Sequence, residues 1–199
     1  METRFADLKK VSKEPAARML ALANARLETR LGMPASAGVG VVLAGLAKAG
    51  APVDMLRLLS VALPPRERTW WACLAARDIL GPDPENLPPT LSAAEAWVRK
   101  PGEDTRLAVR KALDLAEADD DTSLCATAAV FGDGTLGPGD MAQHPAPPGA
   151  SEAAAFGMNM IAIGETEGDF FAEADRLIDR GLDIARGGTG RPAGAKEKA

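Results

Sequence analysis

Apolar residues return every three or four positions through most of this chain, and Gly or Pro interrupts each run. Leu20, Ala23, Leu27 and Leu31 follow helical spacing from Pro15, whose missing N–H costs nothing in a first turn, to Gly32 and Pro34. Residues 37–49 are almost wholly apolar and contain Gly38, Gly40 and Gly45, which predicts a buried helix whose glycines permit close approach. Pro52 and Asp54 open a third helix through Leu56, Leu59 and Leu63. Pro64-Pro65 breaks it, because proline disfavours helical geometry in the preceding residue. A fourth helix then runs from Pro65 to about Leu80, followed by a turn at Gly81-Pro82-Asp83-Pro84.

Ser92 and Glu95 have capping-box spacing, so a short helix carrying Trp97 is expected to begin there and to end at Pro101-Gly102. Residues 105–118 give the clearest amphipathic pattern. Val109, Ala112, Leu113 and Ala116 share one face, while Arg106, Arg110, Lys111 and Asp114 cover much of the rest. Asp121 or Thr122 caps the next helix, through Phe131. Residues 132–149 hold five Gly and four Pro and form the longest expected loop, a length usually functional or disordered. Residues 151–163 return to an apolar helix. Thr166 and Asp169 precede a last helix with Phe170, Ala174, Leu177, Ile178 and Leu182 on its inner face. The expectation is an all-α fold: one compact domain of about eight helices over residues 1–186, with irregular stacked helical hairpins as the alternative arrangement, and a flexible tail over 187–199.

Composition agrees with this pattern and narrows the function. Of 199 residues, 39 are alanine and only eight are aromatic, which favours closely packed helices over a sandwich or barrel. It also leaves little aromatic surface for sugar, base or cofactor rings. A net charge of -5 with interspersed signs argues against nucleic-acid binding. No window reaches 18 uninterrupted apolar residues and no apolar leader is visible, so no membrane span is expected and a cytoplasmic location is the default expectation.

Signals for chemistry are thin. The single histidine, His144, falls in the Pro/Gly loop, and Cys73 and Cys125 sit in apolar surroundings with no metal-ligand spacing. The run Glu117-Ala118-Asp119-Asp120-Asp121 lacks the ligand spacing and central Gly of a calcium loop. Gly38-Val39-Gly40 and Gly45-Leu46 match neither the dinucleotide fingerprint nor the phosphate loop. Glu165, Glu167 and Asp169 cluster before a helix, where they complement its dipole. No catalytic residue, metal or cofactor is assigned.

The most distinctive stretch is Pro64-Pro65-Arg66-Glu67 followed by Trp70-Trp71-Ala72-Cys73. Adjacent tryptophans project about 100° apart on a helix, so both cannot share one narrow face. Either both pack, or one is an exposed anchor flanked by Arg66, Arg68 and Arg77; of these, Arg66 and Arg77 are kept as candidates. Trp and Arg are favoured interface residues, so Arg66, Trp70, Trp71 and Arg77 are the candidate partner contacts. This segment, together with residues 176–187, resembles a family of uncharacterised bacterial helical proteins. The resemblance implies an all-helical domain over most of the chain and a link to type VI secretion gene neighbourhoods; it brings no activity and no catalytic residue. The expected function is therefore a non-enzymatic protein-interaction module: an adaptor, chaperone or accessory factor whose partner is a secretion-system component or effector. Flat alanine-rich faces also favour a homo-oligomer. The alternatives are a helical small-molecule or lipid-binding protein, with Phe156, Met158, Met160 and Ile161 lining the pocket, and a carboxylate-based enzyme.

Overall fold

The computed structural model describes residues 2–81 and 87–191. The expected turn at Pro82-Asp83-Pro84 and residues 192–199 of the expected tail lie outside the described residues. Among those described are nine α-helices: α1 (Ala16–Leu22), α2 (Val39–Lys48), α3 (Pro52–Ala62), α4 (Pro65–Leu80), α5 (Pro89–Arg99), α6 (Glu103–Asp114), α7 (Ser123–Val130), α8 (Ala150–Gly164) and α9 (Phe170–Arg186). The fold is all-α. Prolines at the first helical position start α3, α4 and α5, where the ring fixes helical φ and the lost donor had no partner.

The amphipathic pattern sorts the helices around one core. Helix α4 lies at its centre, against α5, α7, α8 and α9. Its small residues Ala72, Cys73, Ala75 and Ala76 are fully buried and let these neighbours approach, while Trp71 fills the larger gap beside α9. Gly181 on α9 is where the indole sits: a Cβ there would lie 3.4 Å from Trp71 Cε2 and 3.2 Å from Leu59 Cδ1. Asp78 at the end of α4 clamps Arg176 and Arg180 of α9 at 2.8 and 2.6 Å.

Several elements depart from the pattern, each for a visible reason. The helix expected through Leu31 stops at Leu22. Asn24 adopts a left-handed φ of 48°, and the buried Asp54 carboxylate accepts the Glu28 and Thr29 amides at 3.1 and 2.7 Å. Those amides are thereby satisfied outside a helix. Helix α5 begins at Pro89, so Ser92 lies inside it and Glu95 forms no cap; Glu95 is buried and paired with Arg77. Arg106 is buried rather than solvent-facing, and Phe170 is exposed rather than on the inner face of α9.

The loop over 132–149 is built, not loose. Arg106 donates to Val130 O at 2.7 Å and Thr135 Oγ1 at 2.7 Å, and it also pairs with Asp133. A two-residue bridge joins Thr135 to Pro145, and a 3-10 turn spans Gly139–Gln143. Gly149 closes the loop with a φ of 80°, where any Cβ would collide with the Ala23 carbonyl oxygen. Two glycines of α2 make close approaches: Gly40 abuts the backbone of Phe5, at the end of a 3-10 turn over Glu2–Phe5, and Gly45 abuts the Met33 side chain from the segment between α1 and α2, whereas Gly38 has open space.

Candidate functional site

Four segments far apart in sequence converge beside the start of α4. Pro64 and Pro65 set the direction of the helix, and its first turns present Arg66, Glu67 and Trp70 on one side. The end of α5 supplies Val98 and Arg99, the N-terminal arm supplies Lys10, and the end of α9 supplies Ile184. Past α9 the chain curls back. Gly187 takes a φ of 102° and returns its N–H to the Ile184 carbonyl at 2.9 Å. The Gly190 N–H donates to Asp183 Oδ2 at 2.8 Å, and Arg180 Nε donates to Gly190 O at 3.2 Å. Residues 187–191 are thus tied down, contrary to the tail expected from Gly187 onward.

These segments enclose a groove of about 400 Å³. Trp70 is half-buried in it. Its indole N–H donates to Thr189 O at 2.8 Å, and the Arg191 guanidinium lies over the ring, 5.0 Å from its centroid. Arg66 Nε donates to Val98 O at 2.6 Å, a neutral acceptor. Lys10 Nζ pairs with Glu67 Oε1 at 3.1 Å. Arg99 is 64% exposed at its side chain and reaches Glu95 only at 3.5 Å. That carboxylate already takes Arg77 in a two-pronged pair at 2.7 and 2.8 Å. Among the described residues the groove therefore carries four cations and one carboxylate, in a protein whose net charge is -5.

The four sequence candidates separate cleanly. Arg66 and Trp70 line the groove. Trp71 does not contact solvent at all: it is 0% exposed, with Nε1 donating to Leu177 O at 3.0 Å, so it is corrected from a partner contact to a core residue. The 100° between neighbours on a helix turns one indole to the core and the other to the groove. Arg77 lies outside the groove and braces α4 against Glu95 of α5. Lys10, Arg99, Thr189 and Arg191 were missed. Only the glycines at 187, 188 and 190 hinted that the chain reverses and brings Arg191 back.

Other candidates resolve into structural roles. His144 is exposed on its loop. Cys73 and Cys125 are free and fully buried, and burial pushes the Cys73 thiol well up, away from the reactive thiolate. Asp169 caps α9, accepting the Ala172 N–H at 2.9 Å. Met158 is fully buried, Arg57 lies over the Phe156 ring at 5.0 Å, and neither Met160 nor Ile161 lines the groove. Among the described residues, no group of three or more His, Cys, Asp or Glu is placed to hold a metal ion, and no helix is long and apolar enough to cross a membrane.

The model of a family of unknown function, DUF6931, matches residues 42–185. The chain belongs to that family. The DUF6931 span contains Arg66, Glu67, Trp70, Val98, Arg99 and Ile184 of the groove, whereas Lys10 and residues 187–191 lie outside it. Neither a curated protein nor a solved structure matches the chain.

Proposed function

We propose that this protein is a non-enzymatic protein-interaction module, an adaptor or chaperone-like accessory factor of a type VI secretion apparatus, working in the cytoplasm. Its partner is a component or effector of that apparatus, and it docks at the Trp70 groove. The observation that carries this reading is the half-buried Trp70 between Arg66 and Arg191. A tryptophan with one face in a concave, arginine-rimmed site has the composition of an interface anchor. The secretion link rests on the resemblance of the Pro64–Cys73 segment and supplies the class of partner to look for.

The test is a pull-down from the native host in mild salt, with wild-type protein and Trp70→Ala side by side. A stoichiometric protein that is recovered by wild type and lost with Trp70→Ala is the expected result. Recovery of no such protein across several growth states overturns the interaction reading. A partner unrelated to secretion overturns that link alone.

A further inference from the structure

We propose that the Trp70 groove takes an acidic, extended segment of a partner protein, in which Asp or Glu side chains flank an apolar residue. This rests on the interaction reading above and specifies the chemistry of the partner. The argument is one of charge left uncompensated. Elsewhere most guanidiniums face carboxylates at close range: Arg4 with Asp175, Arg57 with Asp54, Arg68 with Glu152, Arg176 and Arg180 with Asp78. Arg26, Arg30 and Arg186 lack a carboxylate partner among the described residues, but they line no groove with an apolar wall; around Trp70 uncompensated cations and apolar surface meet. Among the described residues, the Arg66 and Arg191 guanidiniums have no carboxylate partner, and Arg99 shares a carboxylate that Arg77 already occupies.

A guanidinium has five N–H donors, and Arg66 commits only its Nε to the Val98 carbonyl. Its outer edge keeps the fork that matches a carboxylate in two parallel bonds. The Trp70 ring, Val98 and Ile184 line the same groove and supply apolar surface for one side chain beside the acids. The groove thus combines a cationic rim with a hydrophobic floor, and complementary charge steers an acidic segment into it against an otherwise acidic surface. A long polyanion such as nucleic acid suits it less well, because beyond the groove it meets a chain of net charge -5.

The experiment is selection from a random dodecapeptide display library on the full chain, followed by affinity measurement of the selected peptides. Selected peptides should be rich in Asp and Glu around one apolar residue. Their affinity should fall about tenfold or more in Arg66→Ala/Arg191→Ala, and fall with added salt. Arg99→Gln, at an exposed position, should weaken binding while moving the thermal midpoint by no more than about 2 °C. Arg26→Ala/Arg30→Ala, cations outside the groove, should leave binding intact. Peptides without acidic residues, acidic peptides held equally by the groove variants, no enrichment, or preferential binding of a 20-nucleotide oligothymidylate would each overturn the proposal. Its failure is separable from that of the interaction reading. A host protein lost with Trp70→Ala but captured independently of Arg66, Arg99 and Arg191 refutes the acidic segment alone, whereas the absence of any host partner refutes the module.

Discussion

Replacing each tryptophan of the adjacent pair by alanine should give two very different proteins. Trp71 is fully buried against Leu59 and Gly181, with its N–H donating to Leu177 O. Truncating a buried Trp to Ala costs about 3–5 kcal/mol, from lost transfer energy plus the cavity left behind. Relaxation is limited here because the facing residue is a glycine on a long helix with no side chain to swing inward. In a chain of this size each kcal/mol lowers the midpoint by about 2–4 °C, so Trp71→Ala should melt roughly 6–20 °C below wild type. Trp70 is only half-buried, and its indole N–H bonds a carbonyl on a surface turn that water can solvate in its absence. About half of a full burial term, with a small hydrogen-bond contribution, gives about 1–2 kcal/mol and a shift of a few degrees. Urea and thermal unfolding followed by far-UV circular dichroism measure both, since either variant keeps two tryptophans and fluorescence is not needed. A Trp71→Ala protein within 1 kcal/mol of wild type, or a Trp70→Ala protein destabilised as much as Trp71→Ala, refutes the assignment of one indole to the core and the other to the groove.

The remaining perturbations act away from the groove. Burial raises the pKa of the Asp54 carboxyl, but amide donation from Thr29 and Glu28 and the Arg57 charge outweigh it and leave the group below its ordinary 3.8. With the folded value depressed, this stabilisation is complete above about pH 5 and is lost as pH falls through 3.8 toward the folded value; Asp54→Asn should remove that acid dependence of urea stability and cost about 2–3 kcal/mol, because either orientation of the amide sets an NH2 against a donor. Arg106→Lys should cost about 2 kcal/mol and open residues 133–146 to limited proteolysis, since an ammonium cannot span Val130 O, Asp133 and Thr135 together. Gly149→Ala should destabilise by more than 2 kcal/mol, while Gly134→Ala, with the same φ of 80° but open space around it, should cost only about 1–2 kcal/mol; thermal melts of the pair check this.

Helices α2, α3, α4, α8 and α9 were legible because punctuation and periodicity agree in them. Gly50 with Pro52, and Pro64 with Pro65, mark the starts of α3 and α4, and the apolar stripe of α9 holds from Ala174 to Leu182. Residues 23–33 misled because their spacing is helical but their amides are claimed by Asp54, a residue about 25 positions away that local pattern casts as a helix starter. Arg106 misled for a related reason: its burial depends on carbonyls at Val130 and Thr135, which no window around Arg106 contains. Half of the site was visible. The Pro-Pro start and the Trp-Trp pair singled out Arg66 and Trp70, and helix geometry required the two indoles to diverge. Which indole faces out was settled only by tertiary packing against Gly181. Lys10, Arg99 and Arg191 join the groove from three other segments, so no local motif announces them.

Hydrogen–deuterium exchange on the complex with the captured partner tests the central claim most directly. Protection gained on binding should fall on residues 8–11, 65–71, 97–100 and 184–191, the four segments that build the groove. Protection confined to any other face, with these segments exchanging as in the isolated protein, would show that the Trp70 groove is not the docking site.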